Sequence, residues 1–134
     1  MTLIVCLDDR DGMLYNKRRQ SRDFRVCERI LERAAGNVLR MNAYSAKLFP
    51  EGSVQIDPDF LEKANLSDCC FVENVDILPY LDKAETLVIY RWNRVYPSDV
   101  KFPTVGLNEN WHLQSSIDFP GNSHESITEE VYTR

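Results

Sequence analysis

The pattern of apolar positions begins with five consecutive apolar residues at 3–7, directly followed by the charged segment 8–12. An uninterrupted apolar run predicts a strand that is buried on both faces, because a half-exposed strand would alternate apolar and polar residues. In α/β proteins, ligands gather in the crevice outside the carboxyl ends of such strands. The pattern therefore predicts a central strand at 3–7 and a candidate site beyond Leu7.

An amphipathic helix is predicted over residues 22–35, where apolar residues recur at helical spacing and Gly36 supplies the stop. Ser21 is the expected N-cap, and Asp23 places a negative charge in the first turn, where it suits the helix dipole. The expected apolar face consists of Phe24, Cys27, Ile30, Leu31 and Ala34. Arginines occupy most of the opposite face, at Arg22, Arg25, Arg29 and Arg33.

The rest of the chain alternates short strands with short helices and then ends in strands. Further strands are predicted at 38–41, 54–56, 69–72, 86–92, 111–116 and 127–132. Short helices are predicted at 42–48, 57–64 and 77–81, and a loop at 95–103. The last two strands pair antiparallel across 120–122, after a series of parallel crossovers. The predicted fold class is a three-layer α-β-α sandwich with a mixed, mostly parallel central sheet, formed by residues 1–134 as one domain.

Length and cysteine usage narrow the class of protein. A chain of 134 residues is long enough to bury about 65–70% of its unfolded surface without the help of disulfides or bound metals. It has no apolar stretch of about 18 residues, so no membrane span is expected, and no basic leader typical of a secretory signal. The four cysteines lack zinc-finger or redox spacing and are interpreted as small buried hydrophobes in a reducing cytoplasm.

The net charge of −5 conceals an asymmetry between the two parts of the chain. Residues 1–48 carry a net charge of +4 and residues 49–134 a net charge of −9. The basic excess includes Arg18, Arg19 and Arg22, which are candidates for contact with the phosphates of a nucleotide or a nucleic acid. The alternative is a solvated helix face beside an acidic remainder, and the pI near 5.0 argues against nucleic acid.

The order of elements and the residues at their joints resemble dihydrofolate reductase. Residues 3–16 are similar to that family's first strand and the flexible loop after it, and residues 70–84 resemble its strand, glycine turn and pyrophosphate-binding helix. Asp23 stands where the family has the carboxylate that binds the pterin ring, and Ser45 where a cofactor-binding threonine is usual. The resemblance implies the family's fold and, if the motifs were intact, reduction of a pterin by a nicotinamide cofactor.

The cofactor motifs depart from that family at one site. Asn42 and Ala43 replace its Gly-Arg pair, and Glu73 and Asn74 replace its consecutive glycines. A pyrophosphate needs backbone amides that it can approach without a side chain, and a carboxylate there would repel it. The chain is also shorter before Cys69, where the family builds its adenosine region. We therefore expect no ordinary binding of a reduced nicotinamide dinucleotide, and no cofactor is predicted.

Three functions follow from these features. The leading hypothesis is a non-catalytic cytoplasmic protein that binds a small ligand or a protein partner through the arginine-rich helix or the cleft at the strand carboxyl ends. The cleft candidates are Leu7, Asn42, Ser45, Glu73 and Asn74. The alternatives are a pterin- or nucleotide-dependent reductase that uses Asp23, a residue that otherwise stabilises its own helix, and a nucleic-acid-binding protein.

Short bacterial chains of this type are sometimes labelled ribonuclease Z. That class of enzyme needs a cluster of His and Asp that holds two zinc ions. His112 and His124 are the only histidines, they are twelve residues apart, and no His-x-His-x-Asp-His run accompanies them. No metal site is predicted, and both histidines are interpreted as satisfied or exposed residues.

Overall fold

The structure, a computed structural model, describes residues 1–104, 107 and 109–134. The strands of these residues are β1 (Thr2–Leu7), β2 (Gly12–Tyr15), β3 (Arg18–Arg19), β4 (Leu39–Met41), β5 (Gln55–Ile56), β6 (Cys69–Phe71), β7 (Thr86–Arg91), β8 (Val100–Lys101), β9 (His112–Phe119) and β10 (Ile127–Thr133). The helices are α1 (Phe24–Ala34), α2 (Ala43–Ala46) and a 3-10 helix at Leu78–Lys83. No helix of this part of the chain is long and apolar enough to cross a membrane.

Seven strands form the central sheet in the order β5-β4-β6-β1-β7-β10-β9. The pairs from β5 through β7 are all parallel, and β10 then pairs antiparallel with both β7 and β9. The strand at the start of the chain is central as predicted, and Leu3, Ile4 and Val5 have no exposed surface. The mixed, mostly parallel sheet and its antiparallel end are therefore confirmed.

The sheet has a core on each face, because successive side chains of β1 point to opposite sides. Ile4 packs in a cluster with Val26 and Ile30 of α1, so α1 covers that face. Leu3, Val5 and Leu7 belong to the other cluster, which the 3-10 helix and the turns before β6 cover through Leu61, Ile77 and Leu81. The second covering layer therefore consists of turns and a 3-10 helix rather than long helices.

The predicted helix at 57–64 is wrong, because this segment forms consecutive turns. The Asp57 side chain accepts the Asp59 amide at 2.8 Å, and the Phe60 amide donates to the Asp57 carbonyl. An aspartate that bonds the backbone two residues on favours a turn over a helix. Phe60 and Leu61 are nevertheless almost fully buried. Burial of such a side chain contributes about 1.5–3 kcal/mol, which holds the segment on the sheet without helical structure.

The long helix is present but begins at Phe24, and its N-cap is Asp23 rather than Ser21. The Asp23 carboxylate accepts the Arg25 and Val26 amides, which are otherwise unpaired in the first turn. This start places Val26 on the buried face and leaves Phe24 67% exposed. The apolar face of α1 is therefore Val26, Cys27, Ile30 and Ala34.

A second, three-stranded sheet with the order β3-β2-β8 lies in the two segments that were expected to be loops. Asn16 and Lys17 have positive φ angles of 51° and 62°, which form the two-residue turn between β2 and β3. Strands of two residues are too short to give an alternating pattern, so the sequence did not indicate them. This hairpin matters for the site because it carries Arg19.

Candidate functional site

The carboxyl end of β6 is closed by an ion pair between Glu73 and Arg19. Arg19 Nε donates to Glu73 Oε2 at 2.8 Å, and Arg19 Nη2 donates to Oε1 at 3.0 Å. Ser45 Oγ donates to the same Oε1 at 2.8 Å. Glu73 is 8% exposed and Ser45 1% exposed, so this network is buried. Both carboxylate oxygens are thus already paired within the protein.

Tyr44 of α2 holds the Arg19 side chain in this position. The guanidinium carbon lies 4.1 Å from the centre of the Tyr44 ring, and the Tyr44 carbonyl accepts from Arg19 Nη2 at 3.2 Å. The Tyr44 hydroxyl accepts the Arg19 amide at 2.9 Å. Burial lowers the pKa of Arg19. The hydrogen bond that Arg19 donates to Glu73, the charge of that carboxylate and smaller contributions from Tyr44 and Cys27 together outweigh burial, and the net shift is upward. The guanidinium is therefore a fixed cation between the small sheet and α2.

Four of the five predicted cleft residues lie together. Besides Ser45 and Glu73, Asn42 donates to Asn74 Oδ1 at 2.7 Å, and Asn42 Oδ1 caps α2 by accepting the Ser45 amide. Leu7 is fully buried in the core below. The polar residues of the cleft are therefore engaged with one another and with Arg19, and their role toward a ligand stays a prediction.

Asp23 is the centre of a second buried network. Its side chain has no exposed surface, and besides capping α1 it accepts the Asn122 and Ser123 amides at 2.8–3.0 Å. Burial alone would raise the pKa of the Asp23 carboxyl. The hydrogen bonds from Asn122, His124 and Ser123 outweigh burial and hold the pKa well below its ordinary value. Asp23 is therefore a buried carboxylate that is ionised at neutral pH and fastens the loop after β9 to α1.

His124 extends this network to two hydroxyl groups. Its Nδ1 lies 3.0 Å from Asp23 Oδ2, and its Nε2 lies 2.9 Å from Ser21 Oγ and 3.1 Å from the Tyr96 hydroxyl. An ionised carboxylate only accepts hydrogen bonds, so the network places a proton on Nδ1. In the neutral imidazole with this tautomer, Nε2 accepts from the two hydroxyl groups. The ring stacks on Trp92, with centroids 4.7 Å apart and planes 22° apart. The imidazole is thus fixed in both position and tautomer.

A cavity of about 340 Å³ opens beside this second network, at the start of α1. Its lining residues are Arg22, Asp23, Phe24, Cys27, Lys47, Leu48, Asn122 and Ser123. A smaller cavity of about 180 Å³ lies on the other side of Glu73, between the small sheet and residues 73–77. The larger cavity has two cations, Arg22 and Lys47, and one acid, Asp23, in its wall. The smaller one has two acids, Glu73 and Asp76, and one cation, Lys101.

Most of the arginines between residues 17 and 40 are paired with acids. Glu129 is 2% exposed and accepts from Arg29, Arg33 and the Tyr90 hydroxyl. The remaining pairs are Arg19 with Glu73, Arg25 with Glu28 and Glu32, and Arg40 with Asp68. Of the described basic residues in this stretch, Lys17, Arg18 and Arg22 have no acidic partner within ion-pair distance. The acidic part of the chain therefore neutralises much of the basic part.

Comparison with known proteins gives a match to structure but not to sequence. No family model and no curated protein match the chain. A solved structure of dihydrofolate reductase from Enterococcus faecalis, complexed with NADP(H) and RAB-propyl, matches with a TM-score of 0.69. The match covers 99% of this chain and 95% of that one at 11% identity. The fold is that of dihydrofolate reductase. At this identity the match shows the fold alone, and it confirms the fold class that the sequence predicts.

Several residues of the second network carry no signal in the sequence. Ser21, Tyr96 and His124 come from three distant segments of the chain. His124, like His112, was interpreted from the sequence as a satisfied or exposed residue. It is indeed buried, at 6% exposure, whereas His112 is exposed on β9. Within the described residues, no three His, Cys, Asp or Glu side chains are grouped as ligands of a metal ion. Only the fold reveals that Asp23 and His124 are neighbours in this dihydrofolate reductase-like chain.

Proposed function

We propose that this protein binds a small organic anion in the cavity at the start of α1, and that it does not transfer hydride from a nicotinamide dinucleotide. The proposal includes the cytoplasmic location expected from the cysteines. The single observation that carries it is the buried Arg19–Glu73–Ser45 network across the carboxyl end of β6. This network fills, with the protein's own side chains, the place where the resemblance implies a pyrophosphate.

Binding of a diphosphate there would require the ion pair to open. Removal of the cation partner from a buried pair leaves an uncompensated charge and typically costs about 3–5 kcal/mol. The Glu73 carboxylate would then face the negative phosphates, and the same small cavity has one cation, Lys101, but also a second acid, Asp76. Repulsion and loss of the ion pair thus both oppose the dinucleotide.

The larger cavity has the opposite character. Arg22 and Lys47 line it, both are exposed, and neither has an acidic partner in the described structure. The exposed Phe24 ring and the half-buried Leu48 give it an apolar side. Cations together with an aromatic surface favour a ligand that has a carboxylate or phosphate and a flat apolar body.

The two alternative functions have less support. A reductase would use Asp23 to hold a heterocycle, but that heterocycle would have to displace the Asn122 and Ser123 amides from the carboxylate. Nucleic-acid binding would rest on Arg18 and Arg22, because Arg19 is committed to Glu73. Two exposed arginines on a chain with a pI near 5.0 give little attraction for a polyanion.

Thermal-shift titration with benzoate, phenyl phosphate, folic acid and NADPH tests the proposal. At least one of the first three should raise the melting temperature, with about 2.7 kcal/mol of stabilisation when it exceeds its dissociation constant 100-fold. The double variant Arg22→Ala/Lys47→Ala should lose this response, and the control Arg18→Ala should keep it. A rise in melting temperature with NADPH, or NADPH oxidation in the presence of dihydrofolate, would contradict the proposal.

A further inference from the structure

Ser21, His124 and Asp23 form a continuous chain of hydroxyl, imidazole and carboxylate. Ser21 Oγ lies 2.9 Å from His124 Nε2, and His124 Nδ1 lies 3.0 Å from Asp23 Oδ2. In this order, an imidazole can take the hydroxyl proton while the carboxylate stabilises the resulting cation. Such a constellation is recognised by geometry on unrelated folds rather than by sequence position or a nucleophile elbow.

The imidazole is preorganised for this proton transfer. Asp23 is buried and ionised, and it orients Nδ1–H so that the lone pair of Nε2 points to the hydroxyl groups. Trp92 stacks on the ring and fixes its plane. The Tyr96 hydroxyl is the second partner of Nε2, at 3.1 Å, and it competes with Ser21 as a donor. Nε2 is thus the one ring nitrogen that can act as a base toward Ser21.

The hydroxyl lies in a pocket that adjoins the cavity of the proposed function. Ser21 is half-buried and lines a narrow inner pocket of about 10 Å³. The inner pocket and the 340 Å³ cavity share four lining residues, Arg22, Asp23, Cys27 and Leu48. The two pockets therefore adjoin each other, with Ser21 in the wall of the inner one. The exposed Arg22 guanidinium, adjacent in sequence, is suited to stabilise negative charge that develops on a carbonyl oxygen.

We propose that Ser21 is a nucleophile that hydrolyses a carboxylic ester bound in this cavity. Ser21 Oγ bonds to the carbonyl carbon while its proton moves to His124 Nε2. The bond from the carbonyl carbon to the alcohol oxygen then breaks, and the alcohol leaves with that proton. A water oxygen then bonds to the acyl carbon while one water proton moves to His124 Nε2. The bond between the acyl carbon and Ser21 Oγ breaks, Oγ takes the proton from Nε2, and the carboxylic acid leaves.

Covalent labelling with a fluorophosphonate, which phosphonylates activated serines, tests this step on the full chain. The expected result is one adduct by intact mass, located on Ser21 by peptide mapping. Ser21→Ala should abolish the adduct, and His124→Gln should slow labelling by 100-fold or more. The control Ser116→Ala, on the exposed edge strand β9, should be labelled at the wild-type rate.

Two further measurements keep the inference falsifiable if His124→Gln fails to fold. Tyr96→Phe removes the competing donor and should be labelled at least as fast as the wild type. Hydrolysis of p-nitrophenyl acetate should show a burst of one p-nitrophenol per protein that Ser21→Ala lacks. Absence of both adduct and burst in the folded wild type, or an adduct on another residue, would overturn the inference.

The inference rests on the proposed function only for the cavity that brings the ester to Ser21. The outcomes of the two experiments are separable. Stabilisation by an organic anion without labelling would remove the nucleophile and leave the binding function intact. Labelling of Ser21 without stabilisation by any of the anions would remove the binding proposal and leave the reactive serine.

Discussion

Glu73 and Asp23 are two buried carboxylates that line the same small inner pocket, yet they are neutralised in different ways. Glu73 is paired with a guanidinium that the small sheet extends across the end of β6. Asp23 is surrounded by backbone amides and by one imidazole. An arginine stays protonated at any ordinary pH, whereas a histidine can take up and release a proton.

This difference determines which of the two regions has a side chain that can exchange a proton. The Arg19–Glu73 pair holds an arginine that stays protonated, and it closes the carboxyl end of β6 with the protein's own side chains. In the Asp23–His124 pair, His124 Nε2 contacts two hydroxyl groups, next to the larger cavity. A group that can exchange a proton therefore lies on the α1 side of the molecule, and a fixed ion pair lies at the end of β6.

The largest effect on stability is expected from Arg19→Ala. The substitution leaves the Glu73 carboxylate buried with only Ser45 as its side-chain partner, and a broken buried pair costs about 3–5 kcal/mol. Because Arg19 is 21% exposed, we expect a loss near the lower end, about 3 kcal/mol, in the free energy of unfolding by urea.

The control for this prediction is Arg18→Ala, an exposed neighbour on the same strand, which should change stability by less than about 0.5 kcal/mol. The double variant Arg19→Ala/Glu73→Ala should recover part of the loss, since it also removes the buried carboxylate that Arg19→Ala leaves without a cation. Equal effects of the two single arginine substitutions would show that the ion pair does not close the cleft.

The contrast between the two carboxylates marks how far the sequence could lead. The apolar run at 3–7 predicted the central strand because burial on both faces leaves a direct record in the residues. The antiparallel strands at the end of the chain were predicted from segments in which apolar and polar residues alternate. The pattern of apolar residues thus sufficed to predict the central sheet, and the structural match confirms the fold class.

The candidate site was predicted less completely. Asp23 was singled out, but its partners Asn122 and His124 lie about 100 residues away and have no local signal. The substitution of glycines by Glu73 and Asn74 suggested a lost cofactor site, yet Arg19 was assigned to phosphate contact rather than to Glu73. A two-residue strand such as β3 leaves no periodic pattern, so the sequence could not place Arg19 beside Glu73.

Asp23→Asn should have the next largest effect. The amide group cannot accept all the N–H donors that surround the carboxylate, so at least one buried donor loses its partner. We expect a loss of about 2–3 kcal/mol in the free energy of unfolding at pH 7. Asp9→Asn, an exposed acid in the loop after β1, is the matched control and should be nearly neutral. An equally small effect of Asp23→Asn would mean that the network is not what fastens the loop.

Acid should reduce the difference in stability between the wild type and Asp23→Asn. The pKa of Asp23 is lowered in the folded protein, so its stabilisation is complete above the unfolded value, about 3.9, and declines as the pH falls below it. Urea unfolding of both proteins between pH 7 and pH 3 should show curves that approach each other below about pH 4.5, by about 1 kcal/mol at pH 3. A gap that stays constant over this range would contradict the ionised state of Asp23.

Gly121→Ala should give the smallest effect, confined to the Asp23 side. A Cβ at this position would lie 2.7 Å from Asp23 Oδ2 and 2.7 Å from the His124 carbonyl oxygen, and one of these contacts is with backbone. Relief of the overlap must displace the loop that delivers the Asn122 and Ser123 amides, which we expect to cost about 1 kcal/mol or more. The adjacent exposed Pro120→Ala should be nearly neutral. Because the displaced loop also carries His124, labelling of Ser21 should slow in Gly121→Ala and not in Pro120→Ala, whereas neither substitution should weaken the Arg19–Glu73 coupling measured by a double-mutant cycle.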